Sequence, residues 1–500
     1  MSKYMLAVLA VSILSFGASA MAEDAHHPWQ GNAHLDVRHT MTGAYPVDDI
    51  GSRESEDQWL NARLRLRTTF AASENIDLAA EGEVRALRLL STGSNVGRTV
   101  GDDTFDVRRD GDAPRLQVIP RELSLKVLTP IGLFKCGHQA AHWGSGFLVN
   151  DGARQRLFGD GWDGNLVERC LVAGKIGQRF TFFAGGDYVY HDNNANYLEG
   201  DRAYGWTVGL RFTFDEDQAQ PDKLFGLLFA QRFQTDRLDP RHPENRKTEA
   251  DVNTIDMHFK WSFAAGKDAQ FNWETEGAMI FGETDRPYLE ETYENGASVL
   301  TFGAMSRLAY QNPSTEIALE LGYASGDNDP QDDTIRQFTF NRAHTVGLLL
   351  FAHILPVTSA RSADRTMDPG LLAVAPSGTR FTVNQGAVRN AAYLYPNIDW
   401  QFMTAWSLRG AYLYAVGAAD VVDTFQSAVS GQYNTTIGGE QPGGRRYGQE
   451  FNVALVYHPK WQRLQGHITA EGGLFLPGDA FAGVLTESVS IGRINLGLDW

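Results

Sequence analysis

The sequence predicts an all-β transmembrane antiparallel β-barrel of about 18 strands, and three observations predict it. Apolar and polar residues alternate over segments of about ten residues along most of the chain, which indicates strands with one lipid face and one water face. The chain ends on such a strand, in which Ile494, Leu496, Leu498 and Trp500 share one face and Trp500 is the last residue. The N-terminus has the features of an export signal.

The N-terminal segment reads as a cleavable signal peptide. Lys3 gives a positive start, residues 5–17 are apolar, and small residues at 18–22 form a cleavage site. The apolar run is shorter than the roughly 20 residues that a spanning helix needs. We therefore expect a signal peptide at 1–22 and a single barrel domain at 23–500.

The composition fits a barrel and argues against nucleic acid as a partner. The 500 residues include 51 glycines and 11% aromatic residues, and the formal net charge is −17. Nothing in the sequence resembles a basic patch with interleaved aromatic residues, which is what nucleic-acid binding would require.

The first predicted strands show the expected alternation of short and long connections. Strands are predicted at 31–41 and 58–70, and the second of these places leucines on one face and arginines on the other. A short gap follows at 71–75, and a long polar gap lies at 91–114. In such barrels the short turns are periplasmic and the long loops extracellular.

The same rhythm continues to the C-terminus. In the last segment Val489 and Ile491 are out of step with the later apolar residues, so the sequence alone indicates that its apolar face changes side. The other strands are predicted near residues 78–85, 122–127, 132–140, 164–175, 179–190, 204–214, 225–233, 255–263, 271–273, 300–310, 317–323, 387–396, 400–416, 449–458, 464–475 and 485–500.

The count of 18 requires residues 325–386 to form one large outer loop. A strand over residues 342–356 would break both the even strand number and the short–long order. The apolar segment 346–357 is too short to span a membrane as a helix. We expect it to fold into the barrel mouth or lumen, and a loop that only packs on its neighbours is the alternative.

A barrel of this size is wide enough for an aqueous channel. The sequence therefore predicts a porin-like channel for passive passage of polar or anionic solutes, in the outer membrane of a Gram-negative cell. An enzyme is not expected, because the segment Gly144-Ser145-Gly146 lacks the spacing of a nucleophile elbow. The alternative is a barrel that acts as a scaffold or sheath for a periplasmic partner chain.

Arginines on predicted lumen faces are the first candidate site. Arg63, Arg65 and Arg67 stand at alternate positions of one strand, and guanidinium groups match carboxylates with paired donors. The alternative is that they only pair with lumen acids (Glu81, Glu83, Glu122, Glu274, Glu276 and Glu320), in a wall that would also suit neutral sugars. Further candidate pore-lining arginines are Arg85, Arg211, Arg232, Arg307, Arg409 and Arg493.

The loop at 140–164 is the second candidate site. Its glycines and aromatic residues suggest a structured loop that folds inward as a constriction, with Arg154 and Arg156 at the narrow point. The alternative is a rigid outer loop with solvated charges.

An acidic outer loop and two cysteines complete the candidates. Alternating carboxylates at Asp327, Asp329, Asp332 and Asp333 could bind Ca²⁺, although a solvated charge run near lipopolysaccharide is the simpler interpretation; no other cofactor is expected. Cys136 and Cys170 flank the loop at 140–164 and would be roughly opposite in a hairpin. A disulfide and two unpaired thiols both remain open.

Several short motifs resemble the alginate-export family of outer-membrane barrels. They are Leu64-Arg65-Leu66-Arg67, Gly137-His138-Gln139, the segment 143–146 and Asp163-Gly164. The resemblance implies an arginine-rich lumen strand and a passive conduit for an anionic polysaccharide such as alginate. His138 stands where that family usually has arginine. The implied partners are lipopolysaccharide and, through the C-terminal strand, the barrel-assembly machinery.

Overall fold

The structure is a computed structural model that describes most of the chain. The predicted signal peptide and the long gap at 91–114 lie outside the described residues. The described residues are 28–54, 57–89, 116–153, 156–159, 164–214, 222–237, 247–286, 296–329, 332–366, 368, 370–372, 382–430, 437, 444–459, 465–481 and 483–500.

The described residues form a closed barrel of 18 antiparallel strands, as predicted. Each strand pairs with the next, and β1 pairs with both β2 and β18, so that Leu35 lies opposite Leu64 on one side and Leu498 on the other. The strands are β1 (Trp29–Thr42), β2 (Asp57–Ser73), β3 (Ile76–Leu89), β4 (Leu116–Thr129), β5 (Gly132–Ala140), β6 (Leu166–Ile176), β7 (Phe180–His191), β8 (Arg202–Thr213), β9 (Lys223–Thr235), β10 (Glu249–Ala264), β11 (Gln270–Thr284), β12 (Ala297–Asn312), β13 (Thr315–Ala324), β14 (Ala391–Met403), β15 (Trp406–Val416), β16 (Arg446–Tyr457), β17 (Gln465–Pro477) and β18 (Val489–Asp499).

Short and long connections alternate around the barrel. At one end, called the turn end, the connections include the two-residue turns at 74–75, 130–131 and 313–314. At the other, the loop end, the connections include residues 141–165 and 325–390. In barrels of this class the turn end faces the periplasm.

The predicted break between the strands at 387–396 and 400–416 was wrong. β14 continues through Pro396 to Met403, and the turn is at Thr404 and Ala405. Pro396 is opposite Leu319 on the β13 side, whereas the ladder to β15 omits it. A proline without an N–H group is therefore accommodated inside the strand at the cost of a local gap in one ladder.

The outer face is an apolar band. On β8, Tyr204, Trp206, Val208 and Leu210 are exposed in sequence alternation, and the other strands carry similar rows of exposed aromatic and aliphatic residues. The alternation that predicted the strands is thus a lipid face, because a strand places successive side chains on opposite sides. Within the described part of the chain, no helix has the length and apolar character needed to cross a membrane.

The apparent change of face in the last strand has a structural reason. Val489 and Ile491 lie on the same side of β18 as Arg493 and Asn495, which is the lumen side, and all four are buried. The alternation is therefore continuous, and two of the lumen positions are apolar because they pack against protein that fills this part of the barrel.

That filling is formed by the long connection between β13 and β14, called the plug loop (residues 325–390). Its segment 346–357 lies inside the barrel, as expected: Leu349, Leu350 and Ile354 are fully buried and belong to one apolar cluster with wall residues such as Phe475. A π-helical turn (Leu350–Ile354) leads into helix α1 (Leu355–Thr366), which contacts helix α2 (Thr424–Ser430). No strand forms in residues 342–356, as predicted.

Candidate functional site in the barrel lumen

A second connection also enters the lumen, and lumen acids hold it there. The constriction loop (residues 141–165, between β5 and β6) donates from Trp143 Nε1 to Asp256 Oδ1 of β10 over 2.8 Å, and from the Ser145 backbone N–H to Glu276 of β11. Gly144 lies between them with φ of +60°, and a Cβ on it would be 2.1 Å from the Glu276 carboxylate. Glycine readily adopts this φ and allows the close approach to the carboxylate. The loop folds inward, as predicted.

Arg156 is the point at which the constriction loop crosses to the opposite wall. Its Nη2 donates to Glu320 Oε2 of β13, and its Nε donates to the Thr345 carbonyl of the plug loop over 3.0 Å. Glu320 Oε1 also accepts from the Tyr393 hydroxyl at 2.8 Å. The two inserted loops and the barrel wall therefore meet at one arginine.

The meeting point of the two inserted loops and the wall, formed by Arg156, Glu320 and Thr345, is called the joint. His344 of the plug loop also belongs to it, and its imidazole is neutral. Its Nδ1 is 3.2 Å from Arg156 Nη1, and its Nε2 is 3.3 Å from Glu320 Oε1. Arginine can only donate, so Nδ1 must accept and the proton must be on Nε2. Burial, and next the charge of Arg156, lower the pKa of His344 to about 4, which agrees with this protonation state.

Glu450 of β16 holds the plug loop. Its carboxylate accepts from the backbone N–H groups of three consecutive residues, Leu348, Leu349 (3.0 Å) and Leu350 (2.8 Å). Gly347 precedes them with φ of +73°, and a Cβ there would be 2.7 Å from Glu450 Oε1. The left-handed glycine thus lets three consecutive donors converge on one buried anion.

A basic wall on β2, β3 and β4 faces the constriction loop. Arg65 Nη2 is 2.7 Å from Glu83 Oε2 and also donates to the Gly152 carbonyl at 3.4 Å. Arg85 contacts the same glutamate, and Arg63 stands opposite Arg85 in the ladder. Arg67 is 2.9 Å from Glu122 and remains the most exposed of these arginines. The cross-strand pairing with acids that the sequence left open is thus present. The four arginines Arg63, Arg65, Arg67 and Arg85 lie close to a smaller number of carboxylates.

Arg121 belongs to this wall and was missed by the sequence-based reasoning. It donates to Glu81 Oε1 over 3.0 Å and to the Asp151 carbonyl of the constriction loop. The ladder between β3 and β4 shifts between Glu81 and Gly82, so Arg121 is an extra residue that points inward. The signal was Pro120, because a proline within a predicted strand indicates a bulge or an edge.

Below the joint lies a cavity of about 800 Å³, called the vestibule, near the turn end. The constriction loop contributes Arg156 and residues 157–159 to its lining. The charged residues that line it are Arg38, Arg156, Arg307, Arg409, Arg493, Glu316, Glu320, Asp399 and Glu471, together with His458 and His467. Five arginines and four carboxylates thus surround this space.

Each predicted vestibule arginine has an acid on a neighbouring strand. Arg307 pairs with Glu316, Arg409 Nε is 2.8 Å from Asp399, and Arg493 Nη2 is 2.6 Å from Glu471. These pairs join adjacent strands, so they are fixed parts of the wall.

The remaining predicted arginines lie elsewhere. Arg232 is 2.5 Å from Asp192 near the loop end, and Arg211 is half-buried on the lumen side of β8, beside Thr181 and Gly226. Arg154 lies outside the described residues. The predicted set is therefore spread over several levels of the lumen.

In the acidic loop that the sequence predicts to bind calcium, the described carboxylates contact neighbouring groups of the same loop. Asp332 is 2.7 Å from Arg336 Nη1, and Asp327 is buried and accepts from the backbone N–H groups of Asp329 and Arg336. Asp333 accepts from the Thr334 hydroxyl at 3.4 Å. Within the described ranges, no group of three or more His, Cys, Asp or Glu side chains is arranged to hold a metal ion. The carboxylates of Asp327 and Asp332 both form ion pairs with Arg336, and calcium binding stays a prediction.

The two cysteines and His138 lie on the outer face of the barrel. Cys136 and Cys170 are directly opposite on β5 and β6, with a Cα–Cα distance of 4.1 Å, and form a disulfide in the structure. His138 is on the same outer face, where its Nδ1 is 2.6 Å from Glu168 Oε1. The Gly137-His138-Gln139 motif therefore places no side chain in the lumen at position 138.

The geometry is that of a closed antiparallel β-barrel whose lumen is narrowed by its own loops. No protein-family model matches the chain, and no curated protein is similar to it in sequence. The fold is nevertheless similar to solved barrels. OpdK of Pseudomonas aeruginosa, crystallised with vanillate, is 11% identical with a TM-score of 0.53, covering 94% of this chain and 98% of that one.

Two further structures agree. OccAB2 of Acinetobacter baumannii is 11% identical with a TM-score of 0.51, covering 94% of this chain and 98% of that one. OccK1 (OpdK) of Pseudomonas aeruginosa is 10% identical with a TM-score of 0.51 and the same coverage. These similarities support the fold of an outer-membrane barrel and do not support the alginate-export family specifically.

Proposed function

We propose that this protein is an outer-membrane channel for small anionic solutes. One observation carries the proposal: the inserted loops engage several of the lumen acids, and arginines outnumber carboxylates, five to four, around the vestibule that remains. Asp256, Glu276, Glu320 and Glu450 all accept hydrogen bonds from the constriction loop or the plug loop. Removing these anions from the path leaves a lumen that favours negative solutes.

The size of the vestibule supports a small solute. A volume of about 800 Å³ is in the range of cavities that hold one small molecule. The two inserted loops fill much of the lumen of the described barrel, which argues against threading a polysaccharide such as alginate or a partner chain. The fold similarity to OpdK, crystallised with the carboxylate vanillate, is consistent with a small anion.

Planar-bilayer recordings test this proposal. We expect wild-type protein to conduct and to prefer chloride over potassium in a salt gradient. Arg67→Gln with Arg409→Gln should lower that preference, because both arginines border water-accessible lumen. Glu122 keeps Lys135 at 2.8 Å in this variant, so the wall retains a cation there.

Lys267→Gln with Arg179→Gln is the matched control, since both residues are exposed in turns outside the lumen and the variant likewise removes two positive charges. Its selectivity should equal that of the wild type. A correctly folded barrel that does not conduct, or that prefers potassium, would contradict the proposed function.

A further inference from the structure

We propose that Glu320 sets the anion selectivity of the constriction by competing with the passing anion for Arg156. The inference rests on the proposed function and deepens it, because it identifies the residue that controls an anion at the narrow point. The anion would be one that matches a guanidinium with paired oxygens, such as a carboxylate.

Arg156 is placed to meet a solute in the vestibule. It lines the end of this cavity next to the joint, called the roof. Of its side chain 21% is exposed, whereas Glu320 beside it is almost fully buried at 1%. The charge that a solute meets at the roof therefore depends on how completely Glu320 neutralises Arg156.

Glu320 remains held when Arg156 turns away. Its Oε1 accepts from the Tyr393 hydroxyl at 2.8 Å and from His344 Nε2 at 3.3 Å, while Oε2 receives Arg156. Two neutral donors on Oε1 keep the buried carboxylate in place, so loss of the Arg156 contact does not leave it without hydrogen bonds.

The Arg156–Glu320 pair differs from the other ion pairs of the vestibule. Arg307–Glu316, Arg409–Asp399 and Arg493–Glu471 each join neighbouring wall strands. Arg156 is carried by a loop, and its Nε donates to the Thr345 carbonyl, so its Nη2 can change partners while Nε still holds the side chain at the joint. A carboxylate that reaches the roof can thus replace Glu320 on Arg156, and Glu320 takes Arg156 back when the anion leaves.

The experiment compares Glu320→Gln with Glu316→Gln in planar bilayers, using the reversal potential in a potassium chloride gradient. Both variants remove one lumen carboxylate of the same vestibule. For Glu320→Gln we expect the chloride-to-potassium permeability ratio to rise about tenfold, because an uncompensated charge about 6 Å from the ion path in water favours chloride about threefold and disfavours potassium about threefold. For Glu316→Gln we expect a smaller rise, because its side chain is 35% exposed and more screened.

A third variant separates charge from loosening of the loop. Tyr393→Phe removes a donor to Glu320 and leaves every charge in place, so any change in its selectivity reports loosening of the joint and should be much smaller than that of Glu320→Gln. Equal rises for Glu320→Gln and Glu316→Gln, no rise for Glu320→Gln, or the same rise for Tyr393→Phe would each overturn the inference. A folded wild-type barrel that does not conduct would instead refute the proposed function, and this inference with it.

Discussion

At the scale of single residues, the joint between the two inserted loops depends on the protonation of His344. Its pKa of about 4 is below the ordinary value of 6.5, so the folded joint takes up a proton only in stronger acid than a released histidine does. The joint is therefore fully stable above pH 6.5 and loses stability as the pH falls toward 4. Protonation would also place a cation on the nitrogen that accepts from Arg156.

We predict that acid loosens the joint in the wild type. Between pH 7 and pH 5 the loss is about 2 kcal/mol, so open-channel current fluctuations should increase over this interval. His344→Gln can still accept from Arg156 and donate to Glu320, and its fluctuations should change less with pH than those of the wild type. Identical pH profiles for the two proteins would show that His344 does not control the joint.

At the scale of elements, a loop segment without regular strand structure is fixed in the lumen by one wall residue. The consecutive N–H groups of residues 348–350 converge on Glu450, and the side chains of these three leucines are buried in the apolar cluster. Buried backbone N–H groups need hydrogen-bond partners. Glu450 accepts from these three N–H groups and so supplies the partner that a helix or a strand would otherwise supply.

We predict that Glu450→Ala releases the plug loop while the barrel stays closed. Loss of three hydrogen bonds to a charged acceptor should destabilise the inserted conformation by about 3 kcal/mol or more, and limited proteolysis of the folded protein should then cut within residues 325–390. Glu316→Ala removes a carboxylate that faces the vestibule instead, and it should leave the loop resistant. Equal resistance of both variants would contradict this role of Glu450.

At the scale of the whole molecule, the barrel wall and the lumen filling are separable. The 18 strands close through the β1–β18 pairing, and no pairing between barrel strands depends on the plug loop. The width of the wall follows from the strand number, whereas the effective width of the channel follows from the inserted loops.

We predict that replacing residues 340–366 by a short Gly-Ser linker gives a folded barrel with several-fold higher single-channel conductance. Circular dichroism should show the strand content of the wild type, which checks the fold. A conductance equal to that of the wild type would mean that the plug loop does not limit the channel.

Much of the architecture could be predicted from the sequence, because a strand between lipid and water carries apolar and polar residues at alternate positions. That rule gave the 18 strands, the alternation of turns and loops, and the lumen side of Arg63, Arg65 and Arg67. It misjudged Val489 and Ile491, since an apolar lumen filling imitates a lipid face, and it missed Arg121, since a bulge shifts the alternation by one residue.

The sequence by itself thus determined the wall of this protein, because the pattern within each strand is local. Only the tertiary structure decided the lumen: that Arg156 meets Glu320 and His344, that Glu450 receives three backbone donors, and that His138 points outward. These contacts join residues that are 100 or more positions apart in the chain or depend on strand register, and no local pattern encodes which loop N–H group will find which buried carboxylate.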